Sequence, residues 1–138
     1  MKNNFSFSYR YFEIPPFGKT FYPFITVGLK TIDKGFVDFE FIVDTGADLT
    51  TLPFFMADRL GVNLKKADKS KSRGIGGHIV NTWITKIPIY FYRIEFFVRA
   101  AITVDNETPL LLGRIDLLDQ VFSWNFDSIN KKILFQQI

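Results

Sequence analysis

Phe41-Ile42-Val43-Asp44-Thr45-Gly46-Ala47-Asp48 is the stretch from which the rest of the chain is best understood. Three apolar residues end a strand-like run and deliver a carboxylate, Asp44, into a turn where Gly46 tolerates a positive φ. Ionised carboxylates rarely sit at the end of a buried run without a partner, so a functional acid is the first reading of Asp44. Asp and Gly also occur in plain strand-to-loop turns for backbone reasons, and a tripeptide match needs structural context.

Upstream, Phe5 to Tyr11 alternates aromatic and polar residues as a half-buried strand does, and Pro15-Pro16 ends it. Tyr22 to Leu29 and Phe36 to Val43 read as two strands joined by a turn at Asp33-Lys34-Gly35, a hairpin that aims the carboxylate. Downstream, Pro53 before Phe54 to Leu60 and Gly61 after it punctuate a helix of about two turns. Lys65 to Arg73 is polar and reads as a mobile loop, and Gly74-Ile75-Gly76-Gly77-His78-Ile79 suits a tight hairpin tip. Ile79 to Ile89 and Ile94 to Val104 follow as strands turning near Tyr92-Arg93, with Pro88 implying an edge or bulge because it cannot donate to a ladder. Pro109 to Leu112 reads as a short strand and Ile115 to Asp119 as a short helix. Val121 to Phe126 and Lys132 to Gln136 form a terminal hairpin.

The chain has 138 residues, enough for one core and too few for two. Its 17 phenylalanines and 47% hydrophobic content favour strands, so an all-β domain is expected. Without cysteine there is no disulfide, thiol nucleophile or thiolate metal site, and with His78 as the single histidine neither a Ser-His triad nor a multi-histidine metal site is available. The net charge of +3 is scattered apart from Lys65-Lys66 and Lys69 to Arg73, which reads as solvated rather than as a nucleic-acid surface. Trp83 and Trp124 read as core or dimer contacts. No apolar run approaches the roughly 18 residues of a membrane span and the N-terminus has no signal-like core, so a cytoplasmic protein without membrane contact is expected.

Asp44-Thr45-Gly46-Ala47-Asp48 after an apolar strand, a glycine-rich hairpin about 30 positions later and Leu111-Leu112-Gly113-Arg114 beyond it together resemble the retropepsin-like aspartic proteases, the family of the retroviral proteases and their cellular and bacterial relatives. The resemblance implies a single-lobe closed β-barrel with two short helices acting as a two-fold homodimer, an extended peptide as substrate, and no cofactor or metal. Hydrolysis through an activated water uses two carboxyl groups sharing one proton. The chain holds one Asp-Thr-Gly, so the second aspartate must come from a second copy.

In the family, the residue matching Asp44 binds the water, that matching Thr45 braces the two loops across the dyad, and that matching Gly46 lets substrate approach. Ala47 stands where bilobed pepsin-like enzymes carry a serine whose hydroxyl stabilises the ionised dyad, which implies a less acidic pH optimum. Gly74, Ile75, Gly76, Gly77 and Ile79 match the flap that closes over substrate, with the tip N–H at Ile75 and with Arg73 departing from the usual apolar residue. By resemblance Arg114 forms an ion pair with Asp48, suited to a partly buried bidentate arginine and costing about 3–5 kcal/mol to break if the pair is buried. Ala47, Asp48, Leu49, Leu110 and Leu111 join the flap residues as substrate contacts. Ile133 to Ile138 are available for the interleaved chain ends that hold the family's dimers together.

The whole chain, 1–138, reads as one domain: an N-terminal extension over 1–21, a motif-bearing core over 22–118 and a C-terminal hairpin over 119–138. A catalytically idle protease-fold module for peptide binding or dimer scaffolding stays open beside the enzyme, with a small basic barrel binding nucleic acid as a third reading.

Overall fold

The computed structural model describes residues 4–73, 75–119 and 122–137. Six strands close into a barrel: β4 (Phe24–Thr31), β5 (Gly35–Val43), β10 (Leu111–Leu112), β6 (Thr50–Leu52), β9 (Ile94–Thr103) and β8 (Ile79–Phe91), with β8 returning to β4 through Gly28–Tyr90 and Leu29–Ile89. Closure leaves these strands no exposed edge over most of their length, which is how a small all-β domain avoids open ladders. Alternate residues point inward, so Ile25, Val27 and Leu29 of β4, Phe41 and Val43 of β5, Leu52 of β6 and Ile102 of β9 are all buried.

β7 (Asp68–Arg73) lies outside the ring, paired with residues 79–84 of β8. The expected mobile loop over 65–73 is therefore a strand for most of its length. All six of its residues are exposed, so composition alone did not reveal the ladder that orders it. Between the β7 pairing and the β4 pairing, Thr85 to Pro88 have a strand partner on the β9 side only. Pro88 sits in this gap, where a missing N–H costs no ladder bond.

The N-terminal strand predicted over Phe5 to Tyr11 is broken at Tyr9. β1 (Asn4–Ser8) pairs with β12 (Lys132–Gln137), while β2 (Arg10–Ile14) turns through Pro15, Pro16 and Phe17 into β3 (Gly18–Tyr22) as a hairpin the sequence did not reveal. Pro23 separates β3 from β4, dividing the single strand expected from Tyr22 to Leu29. The hairpin rests on the barrel through Phe12 against Phe24, with ring centroids 5.9 Å apart, and through an ion pair between Arg10 and Glu40.

The terminal sheet runs β1-β12-β11, with β11 at Phe122–Asp127. Phe5, Phe91, Phe122 and Phe135 meet at centroid distances of 5.2 to 6.0 Å and join this sheet to the barrel. Edge-to-face and offset packing of this kind adds about 0.5–1.5 kcal/mol per pair to simple burial. Both edges of β12 are occupied within one chain. Of the residues expected to be available to a partner's strand, 133–136 are thus already paired on each side and Gln137 pairs with Phe122, and the edges left over belong to β1 and β11. Val121 and Ile138, part of the same expectations, lie outside the described residues.

Helix α1 (Met56–Leu60) is shorter than the predicted Phe54 to Leu60, because Met56 and Ala57 donate to Pro53 and Phe54 in a tight entry turn. Gly61 ends it at φ 68, where the Val62 N–H closes back on Ala57 O at 2.9 Å. The second helix, α2, is one wide turn at Arg114–Leu118 that buries Leu117 and Leu118. No helix among the described residues is long and apolar enough to cross a membrane.

The β8–β9 turn falls on Tyr92 and Arg93, as predicted, but with φ 47 and φ 67 at two residues that carry side chains. A two-residue hairpin turn of this hand favours Asn-Gly. Tyr92 is held by stacking on Phe5 at 3.7 Å. Arg93→Gly is accordingly expected to stabilise the fold by about 0.5–1 kcal/mol, read as a rise in the urea midpoint, because glycine adopts this backbone without the Cβ clash.

β9 is tied to α2 by Asp116, which accepts from Arg99 Nε and Nη2, both at 2.9 Å, and from the Arg99 backbone N–H at 2.7 Å. The Arg99 side-chain hydrogen bonds, outweighing partial burial, hold the Asp116 carboxyl below its ordinary range. A depressed carboxylate stabilises the fold above its unfolded-state pKa near 3.9 and loses that contribution as pH falls through the folded-state value. Stability is therefore expected to be flat from about pH 7 to 5 and to fall below about pH 4. Denaturant titrations of Asp116→Asn should show a smaller acid-induced fall than the parent chain.

Candidate active site

Asp44 follows β5 directly. Its N–H donates to Leu112 O at 3.1 Å, so the neighbouring strand β10 fixes where the carboxylate emerges. The side chain is half-buried, and the Gly46 N–H donates to its Oδ1 at 2.9 Å while the Ala47 N–H donates to Asp44 O at 3.2 Å. This is a tight Asx-type turn, the backbone reason for Asp and Gly at this spacing. Thr45 and Gly46 stand exposed at its outer end.

Beyond the turn the loop is stitched to the start of α2. Arg114 and Ile115 donate their backbone N–H groups to Ala47 O and Asp48 O at 2.9 and 3.0 Å. Gly113 lies against the backbone of Leu49 so closely that a Cβ there would sit 2.2 Å from Leu49 C. Its amide donates to the buried Thr50 hydroxyl at 3.2 Å. Two segments separated by some 65 positions thus form one rigid corner around Asp44.

Arg114 Nη2 donates to Asp48 Oδ1 at 3.1 Å, and Nη1 to Asp119 Oδ2 at 2.6 Å. The hydrogen bonds it donates, to Asp48 first and Asp119 second, strengthen the guanidinium's hold on its proton. The condition set for a costly pair, burial, is not met in the single chain, where the Asp48 side chain is 72% exposed and that of Arg114 42%. Exposed pairs are screened by water and contribute little. Asp48→Asn in the isolated chain is therefore expected to leave the thermal midpoint nearly unchanged in a melting experiment. Asp119 was not anticipated as a partner, although its position five residues after Arg114 sets it at the opposite end of the same helical turn.

Strand register decides which other candidates share a face with Asp44. Leu111 lies beside Ile42 of β5 and Thr51 of β6, and Ile42 precedes Asp44 by two residues, so Leu111 is on the Asp44 face. Leu49 is half-buried against Gly113, and Leu110 is half-buried, its carbonyl accepting from the Ile42 N–H at 3.0 Å. The β7–β8 hairpin carries the glycine-rich tip, where Gly76 and Gly77 have φ 85 and 81, conformations that side chains resist. Ile75 opens a short turn over Ile75–Gly77, and Gly74 lies outside the described residues. Ile79 pairs with Arg73 and is 58% exposed. Alternation puts it on the hairpin face that also bears Lys69 and Lys71, and not on the face continuous with Asp44.

Residues 31–119 match the family model described as "gag-polyprotein putative aspartyl protease". The crystal structure of a retropepsin-like aspartic protease from Rickettsia conorii is similar over 99% of this chain and 92% of its own, with a TM-score of 0.70 at 17% identity. The EIAV protease complexed with the inhibitor HBY-793 is similar over 67% of this chain and 82% of its own, with a TM-score of 0.50 at 23% identity. A sequence search of curated proteins returns no match. At these identities the structures speak for the fold, a closed barrel shared with both, while the family model spans well over half of the sequence and includes Asp44, the hairpin tip and Arg114. The chain belongs to the gag-polyprotein-type, retropepsin-like family of aspartyl proteases.

Proposed function

We propose that the protein is an aspartic endopeptidase, active as a two-fold homodimer in which Asp44 and its symmetry mate share one proton and activate a water. The observation that carries this reading is the setting of Asp44 at the end of a core strand: its half-buried carboxylate accepts from the Gly46 amide and its backbone N–H donates to the Leu112 carbonyl, in a rigid corner. Two such carboxyls brought together cannot both ionise freely, and the shared proton lets one act as base toward water while the other protonates the scissile carbonyl. Thr45, exposed beside the carboxylate, is placed to brace the partner's loop, and Gly46 leaves room for substrate backbone.

The substrate is an extended peptide bound by main-chain hydrogen bonds beneath the β7–β8 hairpins, whose tips close over it and exclude water. Leu49, Leu110 and Leu111 supply apolar contact near the scissile bond. Because residues 132–136 of β12 are paired on both sides, the dimer is built with the outer edges of β1 or β11 or with the Asp44 corner itself.

The test is the order of the reaction in protein. Cleavage of a fluorogenic peptide library at about pH 4 to 7, followed over a dilution series with sedimentation run in parallel, should fall as the square of concentration below the dimer dissociation constant. A specific activity that stays constant where sedimentation finds only monomer would reject the shared dyad.

A further inference from the structure

The base of the β7–β8 hairpin borders a cavity that the peptidase reading does not use. Where β8 passes from its pairing with β7 to its pairing with β4, Thr85 to Pro88 are joined to β9 alone. The opening beside them, about 480 Å³ in volume, is walled on one side by the end of β4 with Ile32 and on the other by the segment between α1 and β7. It lies at the far end of β4 from Asp44. Phe24 stands beside Ile42, two residues before Asp44, and the seven residues from there to Thr31 span about 23 Å at roughly 3.3 Å per residue.

The lining is rich in donors. Lys30, Lys66 and Lys86 bring three ammonium groups from three separate segments, and none of them makes an ion pair among the described residues. Register accounts for their meeting. Carried two residues beyond their last pairs, the β4–β8 and β7–β8 ladders set Lys30 level with Pro88 and Lys66 level with Lys86. Lys30 and Lys86 alternate with the buried Leu29 and Ile87, so both stand on the outside of the barrel. Asn63 Oδ1 accepts from the Lys65 N–H at 3.0 Å, which leaves the Asn63 amide nitrogen to donate into the opening. Among the described residues no Asp or Glu lines this cavity. Asp68 and Asp116 line adjoining hollows, and Asp116 is taken up by Arg99. Ile32, Leu60 and Val62 complete the wall with apolar surface.

We propose that this cavity binds a small polyphosphate anion, free or as the tail of a nucleotide, through Lys30, Lys66 and Lys86. Three cations without an acidic partner carry an excess charge that one carboxylate does not match, whereas a phosphate chain brings several negative charges and accepts at each terminal oxygen. Lysine suits such a guest, since its ammonium is a point charge on a flexible stem and needs no planar, bidentate partner. The volume falls in the range of about 300–1,000 Å³ usual for small-molecule sites. Binding here does not depend on the peptidase reading, and its test needs no cleavage.

Isothermal titration calorimetry with inorganic tripolyphosphate and with ATP, in about 0.15 M salt, is expected to give one saturable site per chain. The double variant Lys66→Gln/Lys86→Gln should weaken both ligands by about tenfold or more, the loss of charged hydrogen bonds from two of the three cations. Lys69→Gln/Lys71→Gln removes the same charge from β7 outside the cavity and should leave affinity within about twofold. All four lysines are exposed, so both variants keep the fold. Tripolyphosphate bound as tightly as ATP assigns recognition to the phosphate chain, and tighter ATP assigns part of it to the apolar wall; either supports the site. Binding that does not saturate, or that the two double variants weaken equally, is diffuse attraction to a basic surface and overturns it.

Discussion

Asp44→Asn is expected to lower peptide cleavage about a thousandfold or more while leaving the melting temperature and the dimer within experimental error of the parent. The amide side chain retains the size of the carboxylate and an oxygen that accepts from the Gly46 N–H, so the turn at 2.9 Å survives. What disappears from the proposed dimer is a titratable group on each subunit, and acid–base assistance of this kind is worth about 10²–10⁴ in rate. Loss of activity with an unfolded or monomeric variant would point to structure and not to chemistry. Unchanged peptide affinity with no cleavage in either form would assign the groove to recognition alone.

Gly113→Ala is expected to destabilise the fold by about 3 kcal/mol or more, a fall of roughly 10 °C in Tm by differential scanning fluorimetry. The added methyl would lie 2.2 to 2.5 Å from Leu49 C, Leu49 O and Thr50 N. These are backbone atoms of the active-site loop and the start of β6, locked by the Arg114–Ala47 and Ile115–Asp48 hydrogen bonds, so no side chain can rotate out of the way. The corner must open, and opening it displaces Asp44. Activity should therefore fall further than the remaining folded fraction accounts for. A variant with native stability would mean that the two segments are not in contact as described.

The barrel was legible where alternation and turn chemistry agreed. Gly35 at φ 68 and Gly61 at φ 68 mark the ends that their spacing announced, and the long β8 and β9 strands fall within two residues of their expected limits. What escaped notice depended on long-range pairing. Tyr9 breaks an aromatic alternation that is locally perfect, because β1 is claimed by β12 at the far end of the chain while β2 is claimed by β3. Lys69 to Arg73 looks like solvated coil since both of its faces are polar, yet residues 79–84 pair with it throughout.

At the site, Asp44, Gly46 and Arg114 stand out by motif, and their neighbours in space do not. Thr51 has no local signature and comes to lie beside Leu111 only through the register. Arg114 reaches Asp48 but is shared with Asp119, and exposure in the single chain removes most of the energetic weight a buried pair would carry.

The most direct measurement of the shared dyad is the stoichiometry of a tight-binding statine-type peptide inhibitor, taken by isothermal titration calorimetry on protein shown to be dimeric in the same buffer. One inhibitor for every two chains, abolished in Asp44→Asn, is the predicted result. One inhibitor for every chain would mean that each subunit carries a complete site of its own and would contradict a proton held between two copies of Asp44.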